Sequence, residues 1–314
     1  MDPDPDCVPH VTIIARPSCP FPIAESSPLP ELELRIDERQ LADLPASLWK
    51  LPWLEILSAG NNRLDELPAT IGTLPELRQL FLHGNRLRAL PDTIGTLRKL
   101  TALDLSYNKL SALPPAIGAL SRLEFLYASN NVLSAVDAAV GRLARLRYLN
   151  VSDNELTNLP SEIGELGNLI ELRAYNNRLS SLPASIGALG RLKELHLANN
   201  RLTALPESLG TLPALRKLRL RGNALTSLPR SIGELRWLAH LELRENALTT
   251  LPDSIGELKS LTHLDLRANQ LTTLPSSIGE LPKLEKLDLR WNPLGPLDAW
   301  VDQLEARGCV VYRA

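Results

Sequence analysis

Apolar and polar positions along the chain follow a pattern that resets every 23 residues. Asparagine marks the phase, at Asn62, Asn85, Asn108, Asn131, Asn154, Asn177, Asn200, Asn223, Asn246, Asn269 and Asn292, with no insertion anywhere. Leucine stands eight and five residues before each Asn and two after it, in every unit. The position three before is mostly Leu, with Ala59, Ala128, Val151 and Ala174 as the exceptions. Leu-x-Leu has period two, which predicts a short strand with both leucines on one side. The residues six, four and two before the Asn then face the other side. Most units continue as Leu-Pro-x-x-Ile-Gly-x-Leu, as in Leu67-Pro68 followed by Ile71-Gly72-Thr73-Leu74. The Pro lacks an N–H and has a fixed φ, which predicts the first turn of a short helix or 3-10 segment. The Gly predicts a tight return towards the next strand.

One such unit buries too little apolar surface to offset the entropy of ordering it, so the units must stack. Stacking lays the strands into one parallel sheet. Strands sit ~4.8 Å apart, closer than helical pieces can, so the stack curves with the sheet inside. The pattern LxxLxLxxNxL resembles the leucine-rich-repeat family over roughly residues 34–297. The LPxxIGxL half resembles its 23-residue intracellular class: Ras-group-related (Shoc-type) proteins, their plant counterparts, and the repeat portions of some bacterial effectors. The resemblance implies an α/β solenoid, a horseshoe with a concave parallel sheet and short helices or 3-10 segments outside. It also implies that each Asn amide bonds backbone groups of its own turn and of the neighbouring unit, and that the chain binds protein without catalysis.

The ends depart from the repeat. Residues 34–53 form a degenerate first unit, in which Leu34, Ile36, Leu41, Leu44 and Pro45 keep the offsets and Arg39 takes the Asn place. Trp49 and Trp53 are expected to seal it. The array then runs over 54–297, its eleven Asn-bearing units merging into a cap over 298–314. In that cap Leu297, Trp300, Val301 and Leu304 have helical spacing, Arg307 and Gly308 end the helix, and Cys309 to Tyr312 read as an edge strand. Residues 1–33 hold eight prolines and are expected to be irregular, with Val11–Ile14 as either a capping strand or a docking segment. Around Asn131 the unit carries Val136, Asp137 and Val140 in place of Leu, Pro and Ile, by drift or to change the curvature locally.

Composition removes several function classes. A net charge of −2 and a pI near 6.3 lack the basic surplus of a nucleic-acid binder. No apolar run approaches the ~20 residues of a membrane span, and the acidic, proline-rich start is unlike a signal peptide. The three scattered cysteines favour a reducing, cytoplasmic setting, although Asn150-Val151-Ser152 is a sequon. An Arg excess over Lys, 26 to 8, hints at a bacterial genome. The nucleotide, zinc-protease, hydrolase and paired-cysteine motifs are missing, so no catalysis, cofactor or metal is expected. About 33 residues before the array and 17 after it leave little room for an attached catalytic domain. A monomer is expected.

What remains is surface. Phe81, Tyr107, Phe125, Tyr127, Tyr148 and Tyr175, six of the eight Phe and Tyr residues, fall at solvent-facing strand or strand-exit offsets in the N-terminal half. Aromatic clusters there suit a binding patch, although cross-strand pairs could serve only to stabilise the sheet. In the C-terminal half Arg221, Arg244, Arg267 and Arg290 form a column, with Trp291 beside it and Glu242, Asp265 and Asp288 in the adjacent column. This reads either as a self-neutralised lattice or as a guanidinium row for an acidic partner segment. His240 and His263 share an offset with Glu242 and Asp265 close by, a set with metal-ligand chemistry, although polar residues are ordinary there. Cys309 reads as structural. The expected function is a scaffold or adaptor binding a protein partner on the concave sheet. The alternative is a secreted bacterial effector directed at a host signalling protein, with residues 1–33 as its leader.

Overall fold

A computed structural model describes residues 32–296 and 299–313. The proline-rich segment through residue 31, with Val11–Ile14, Cys7 and Cys19, and also Leu297, lie outside the described residues. Each Leu-x-Leu does form a three-residue strand. From β1 (Glu33–Arg35) and β2 (Ile56–Ser58) onward they pair in sequence order into one open, parallel sheet of 13 strands. Up to β12 the partners are 23 residues apart, as in Leu126 with Leu149 and Leu172, so equivalent side chains line up in columns across the sheet. The leucine columns are fully buried and make one continuous core along the coil.

The outer wall is built from five-residue 3-10 segments, such as Ala69–Thr73 and Ser161–Glu165. Two expectations about this wall are corrected. The Pro does not open the segment from within: Pro68, Pro91 and Pro160 sit one residue earlier, at the N-cap in extended conformation. The Gly does not turn the chain through a left-handed conformation, because it lies inside the 3-10 segment. It allows close approach instead: a Cβ on Gly164 would lie 2.5 Å from the Ser185 carbonyl oxygen of the next unit.

The unit around Asn131 keeps this geometry. Asp137 has the same extended backbone as the prolines, and its Oδ1 accepts from Ala139 N at 2.8 Å. A side-chain cap thus replaces the proline, and the 3-10 segment Ala138–Arg142 forms as elsewhere.

The Asn ladder is continuous. Asn85 Nδ2 donates to Leu82 O and His83 O in its own turn and to Ala59 O of the preceding unit. Its Oδ1 accepts from Leu64 N. The degenerate first unit is tied in without its own Asn, since Arg39 N and Leu41 N both donate to Asn62 Oδ1. Trp49 packs partly against the core there, but Trp53 is 52% exposed and seals nothing. At the other end, helix α1 (Ala299–Ala306) buries Trp300, Val301 and Leu304, with the Trp300 side chain over Gly279. Gly308, at φ +93°, turns the chain into β13 (Val310–Tyr312), which pairs with β12 (Lys286–Asp288).

Candidate protein-binding face

The residues between the leucines form the inner face of the sheet, and they divide it into three regions. The first is aromatic, on β5 (Phe125–Tyr127) and β6 (Tyr148–Asn150). Phe125 is in register with Tyr148, and the Tyr127 and Tyr148 rings lie 4.9 Å apart at 38°. The Arg173 guanidinium sits 5.5 Å from the Tyr148 ring. Tyr148 is therefore not open to a partner. It is only 6% exposed, covered by its neighbours although it points to the inner side, and burial pushes its phenol up to about 12. Phe125, Tyr127, Phe81 and Tyr175 are half-buried. Phe81 does not adjoin the cluster, since Asp104 stands between it and Tyr127 in the register.

Tyr107 differs from the rest. It is 63% exposed and has φ +56°. The residue just before each ladder Asn adopts this left-handed conformation in all eleven units. Most units place Gly, Asn or Asp there, among them Gly84, Asn130, Asp153 and Asn199, which tolerate it. Tyr107 and Trp291 adopt it with bulky side chains, and Trp291 is 68% exposed.

The second region was missed in the sequence. On β7 (Glu171–Arg173), β8 (Glu194–His196) and β9 (Lys217–Arg219), two columns of mixed charge interlock. Arg173 Nε donates to Glu171 Oε1 and Lys217 Nζ to Glu194 Oε1 at 2.9 Å. His196 is buried, with Nε2 3.1 Å from Glu194 Oε2 and 3.6 Å from Glu171 Oε1, and with Arg219 3.5 Å from Nδ1. Burial, with Arg219 and Arg173 helping, holds its pKa below the usual histidine value against the opposing pull of Glu194 and Glu171. Glu171, Glu194 and His196 are the one group among the described residues whose ligand atoms converge well enough for a metal ion. Both carboxylates are already bonded to cations and Arg219 adjoins the ring, so a divalent ion would meet three fixed positive charges. Two glutamates at the same offset in successive units were the legible signal.

The third region lies on β10 (His240–Glu242), β11 (His263–Asp265) and β12. The His240 and His263 rings do not splay as ligands; they stack, with centroids 4.7 Å apart at 14°. The arginine column is unevenly engaged. Arg267 and Arg290 grip Asp265 and Asp288 through both Nε and a terminal nitrogen, and Arg221 pairs with Glu245 at 3.1 Å. Arg244 has no ion pair and no side-chain hydrogen bond among the described residues. Trp291 lies against Arg290 at 5.6 Å.

A leucine-rich-repeat region model matches residues 137–220 and 203–295, and a leucine-rich-repeat model matches 75–133. The chain is a leucine-rich-repeat protein. Its structure is similar to that of a leucine-rich-repeat protein of Leptospira interrogans, with 34% identity, 87% of this chain and 82% of that one covered, and a TM-score of 0.57. It is similar to the plant peptide hormone receptor RGFR1, solved in complex with RGF2, at 30% identity and TM-score 0.76, over 85% of this chain and 45% of that one. It is also similar to the functional domain of InlJ from Listeria monocytogenes, at 25% identity and TM-score 0.68, over 81% and 52%. This repeat protein thus spans about half the length of the last two. No match to a curated protein was found. Among the described residues, no helix is long and apolar enough to cross a membrane.

Proposed function

We propose that this protein is a non-catalytic interaction scaffold that takes a partner protein on the inner face of its sheet, with the aromatic region as anchor. The observation that carries the reading is Tyr107: a large ring, mostly exposed, held at a left-handed position that most other units give to Gly, Asn or Asp. Neither the fold nor stability asks for Tyr there, and exposed rigid aromatics are typical interface anchors. Tyr127, resting on buried Tyr148, extends the anchor with a surface whose rotamer is already restrained. The similarity to a receptor solved with its ligand supports the reading.

The test is affinity capture with quantitative mass spectrometry, comparing the wild type with a Tyr107→Ala/Tyr127→Ala double variant and with Trp237→Ala as an exposed control away from the strands. A partner retained by the wild type and by Trp237→Ala, but lost from the double variant at an unchanged melting temperature, is the expected result. Retention by the double variant would remove the aromatic region from the interface.

A further inference from the structure

The third region contains a hollow of about 250 Å³, lined by His240, Glu242, Arg244, His263, Lys286 and neighbouring carboxylates and guanidinium groups. Its lining holds three carboxylates, Glu242, Asp265 and Asp288, and three cations, Arg244, Arg267 and Lys286, but they do not pair one to one. Every carboxylate around it has a guanidinium partner: Glu242 with Arg219 at 3.2 Å, Asp265 with Arg267, Asp288 with Arg290, and Glu245 with Arg221. Two cations are left over. Among the described residues, Arg244 has no ion-pair partner in the arginine column, and Lys286 has only the Tyr312 ring, 5.2 Å away. His240, which also lines the hollow, has a buried Nδ1 with no hydrogen-bond partner among the described residues.

We infer that this hollow is the docking site of an acidic peptide segment of the partner, its two carboxylates taken by Arg244 and Lys286 at opposite corners. The inference rests on the inner sheet being the interaction face, but it uses residues separate from the aromatic anchor. An unpaired guanidinium flanked by two like-charged neighbours in its column holds a positive potential that an incoming carboxylate relieves. The corners are set by the register. His240 faces His263 and His263 faces Lys286, so Lys286 is two strands from His240, and Arg244 is four residues beyond His240 along the chain. Two strand spacings of ~4.8 Å and four residues of ~3.3 Å each place the corner backbones roughly 16 Å apart. An extended peptide spans that distance in about five residues. Side chains of an extended peptide alternate faces, so the matching ligand carries two acidic residues four apart, both facing the sheet, with the long side chains of Arg244 and Lys286 closing the remaining distance, and it runs diagonally across β10–β12.

His240 gives the site a pH dependence. His240 is faced by Lys217 and Arg219 on β9, by His263 on β11 and by Glu242 on its own strand. His263 is faced by His240, by Lys286 on β12 and by Asp265 on its own strand, with its Nδ1 bonded to Thr262 Oγ1 at 2.9 Å. Burial first, then His263 and Lys217, hold His240 below the ordinary histidine pKa, so it is neutral in the empty site at neutral pH. A bound carboxylate favours the protonated ring, so binding takes up a proton and tightens as pH falls.

The test is fluorescence anisotropy on the full chain at low ionic strength, with labelled Ser/Thr peptides whose termini are blocked. One carries two Glu four residues apart, one carries Gln in both places, and one carries adjacent Glu. The spaced peptide is expected to bind about tenfold tighter than the Gln peptide, about 1.4 kcal/mol, and clearly tighter than the adjacent isomer. Arg244→Gln and Lys286→Gln should each remove most of that difference, while Arg122→Gln, on the turn before β5, leaves it intact. Binding should strengthen between about pH 7.5 and about pH 5.5, and a His240→Gln variant should lose the strengthening. Equal binding of the Glu and Gln peptides, or of the spaced and adjacent ones, or indifference to Arg244→Gln, would overturn the assignment. Those outcomes leave the aromatic anchor standing, because its readout depends on Tyr107 and Tyr127.

Discussion

The amide of Asn154 donates to the carbonyl oxygen of Ala128, 26 residues earlier, at 2.9 Å, and its Oδ1 accepts from Leu133 N at 3.0 Å. One side chain thus closes two units together while also bonding Val151 O and Ser152 O in its own turn. Asn154→Ala orphans a buried N–H and withdraws donors from three carbonyls. At ~1–3 kcal/mol per unsatisfied buried group, the expected loss is about 3 kcal/mol or more, read from the urea midpoint. Asn154→Asp keeps an acceptor but sets a carboxylate against those carbonyls, so it should be no better than alanine. A shift of under about 1 kcal/mol in either variant would show that the ladder adds little.

The two glycines of the following outer segment separate steric need from mere presence. A Cβ on Gly164 would lie 2.5 Å from Ser185 O and 2.7 Å from Ser185 Cβ, whereas nothing lies within 4 Å of the corresponding position at Gly167. Gly164→Ala should therefore cost about 1–3 kcal/mol by forcing neighbouring units apart. Gly167→Ala should be neutral or stabilise by up to about 1 kcal/mol through the unfolded chain. Thermal melts of both variants decide it.

At Tyr107, stability and binding are expected to move in opposite directions. Asn occupies the same left-handed position at Asn61, Asn130, Asn176 and Asn199. Asn tolerates that conformation better than a bulky aromatic side chain does, so Tyr107→Asn should gain roughly 0.5–1 kcal/mol in chemical denaturation. The same substitution should weaken partner capture. Loss of both would mean that the ring supports the fold.

Acid should weaken the coil before its carboxylates titrate. His196 and His240 have folded pKa values below the ordinary histidine value of 6.5, each chiefly through burial. The unfolded chain therefore binds more protons as pH drops below 6.5, so their contribution is complete above that value and falls away beneath it. The urea midpoint of the wild type should decline from about pH 7.5 to about pH 5.5, and His196→Gln/His240→Gln should flatten the decline. An equal slope in the double variant would place the acid sensitivity elsewhere.

Much of the frame was legible because the repeat is strict. The Leu-x-Leu alternation states which side of each strand is core, and the constant 23-residue interval states which residues will be column neighbours. The inner-face placement of Phe125, Tyr127 and Arg267 follows from that alone. Local chemistry was read less well. Pro68 was expected inside the 3-10 segment and caps it instead, and the value of Gly164 lies in a contact with the next unit that its own segment does not reveal. The left-handed residue before each Asn was hidden because Gly, Asn, Glu, Ala, Tyr and Trp all occupy it. Only the phase of the repeat identifies the position, whereas composition does not.

The amino-acid order by itself determined the architecture, since a 23-residue period of buried leucines has one way to satisfy both its apolar faces and its backbone groups. Tertiary structure decided which inner-face groups are available. Tyr148 and Tyr127 stand at equivalent kinds of position, yet one is covered and the other half-open, because Arg173 leans from the next strand over the Tyr148 ring. Arg244 and Arg267 share a column, yet Asp265 takes one and no described residue takes the other. Alternation sets direction from the chain's own geometry, whereas accessibility and charge pairing depend on how far side chains reach from strands 23 residues away.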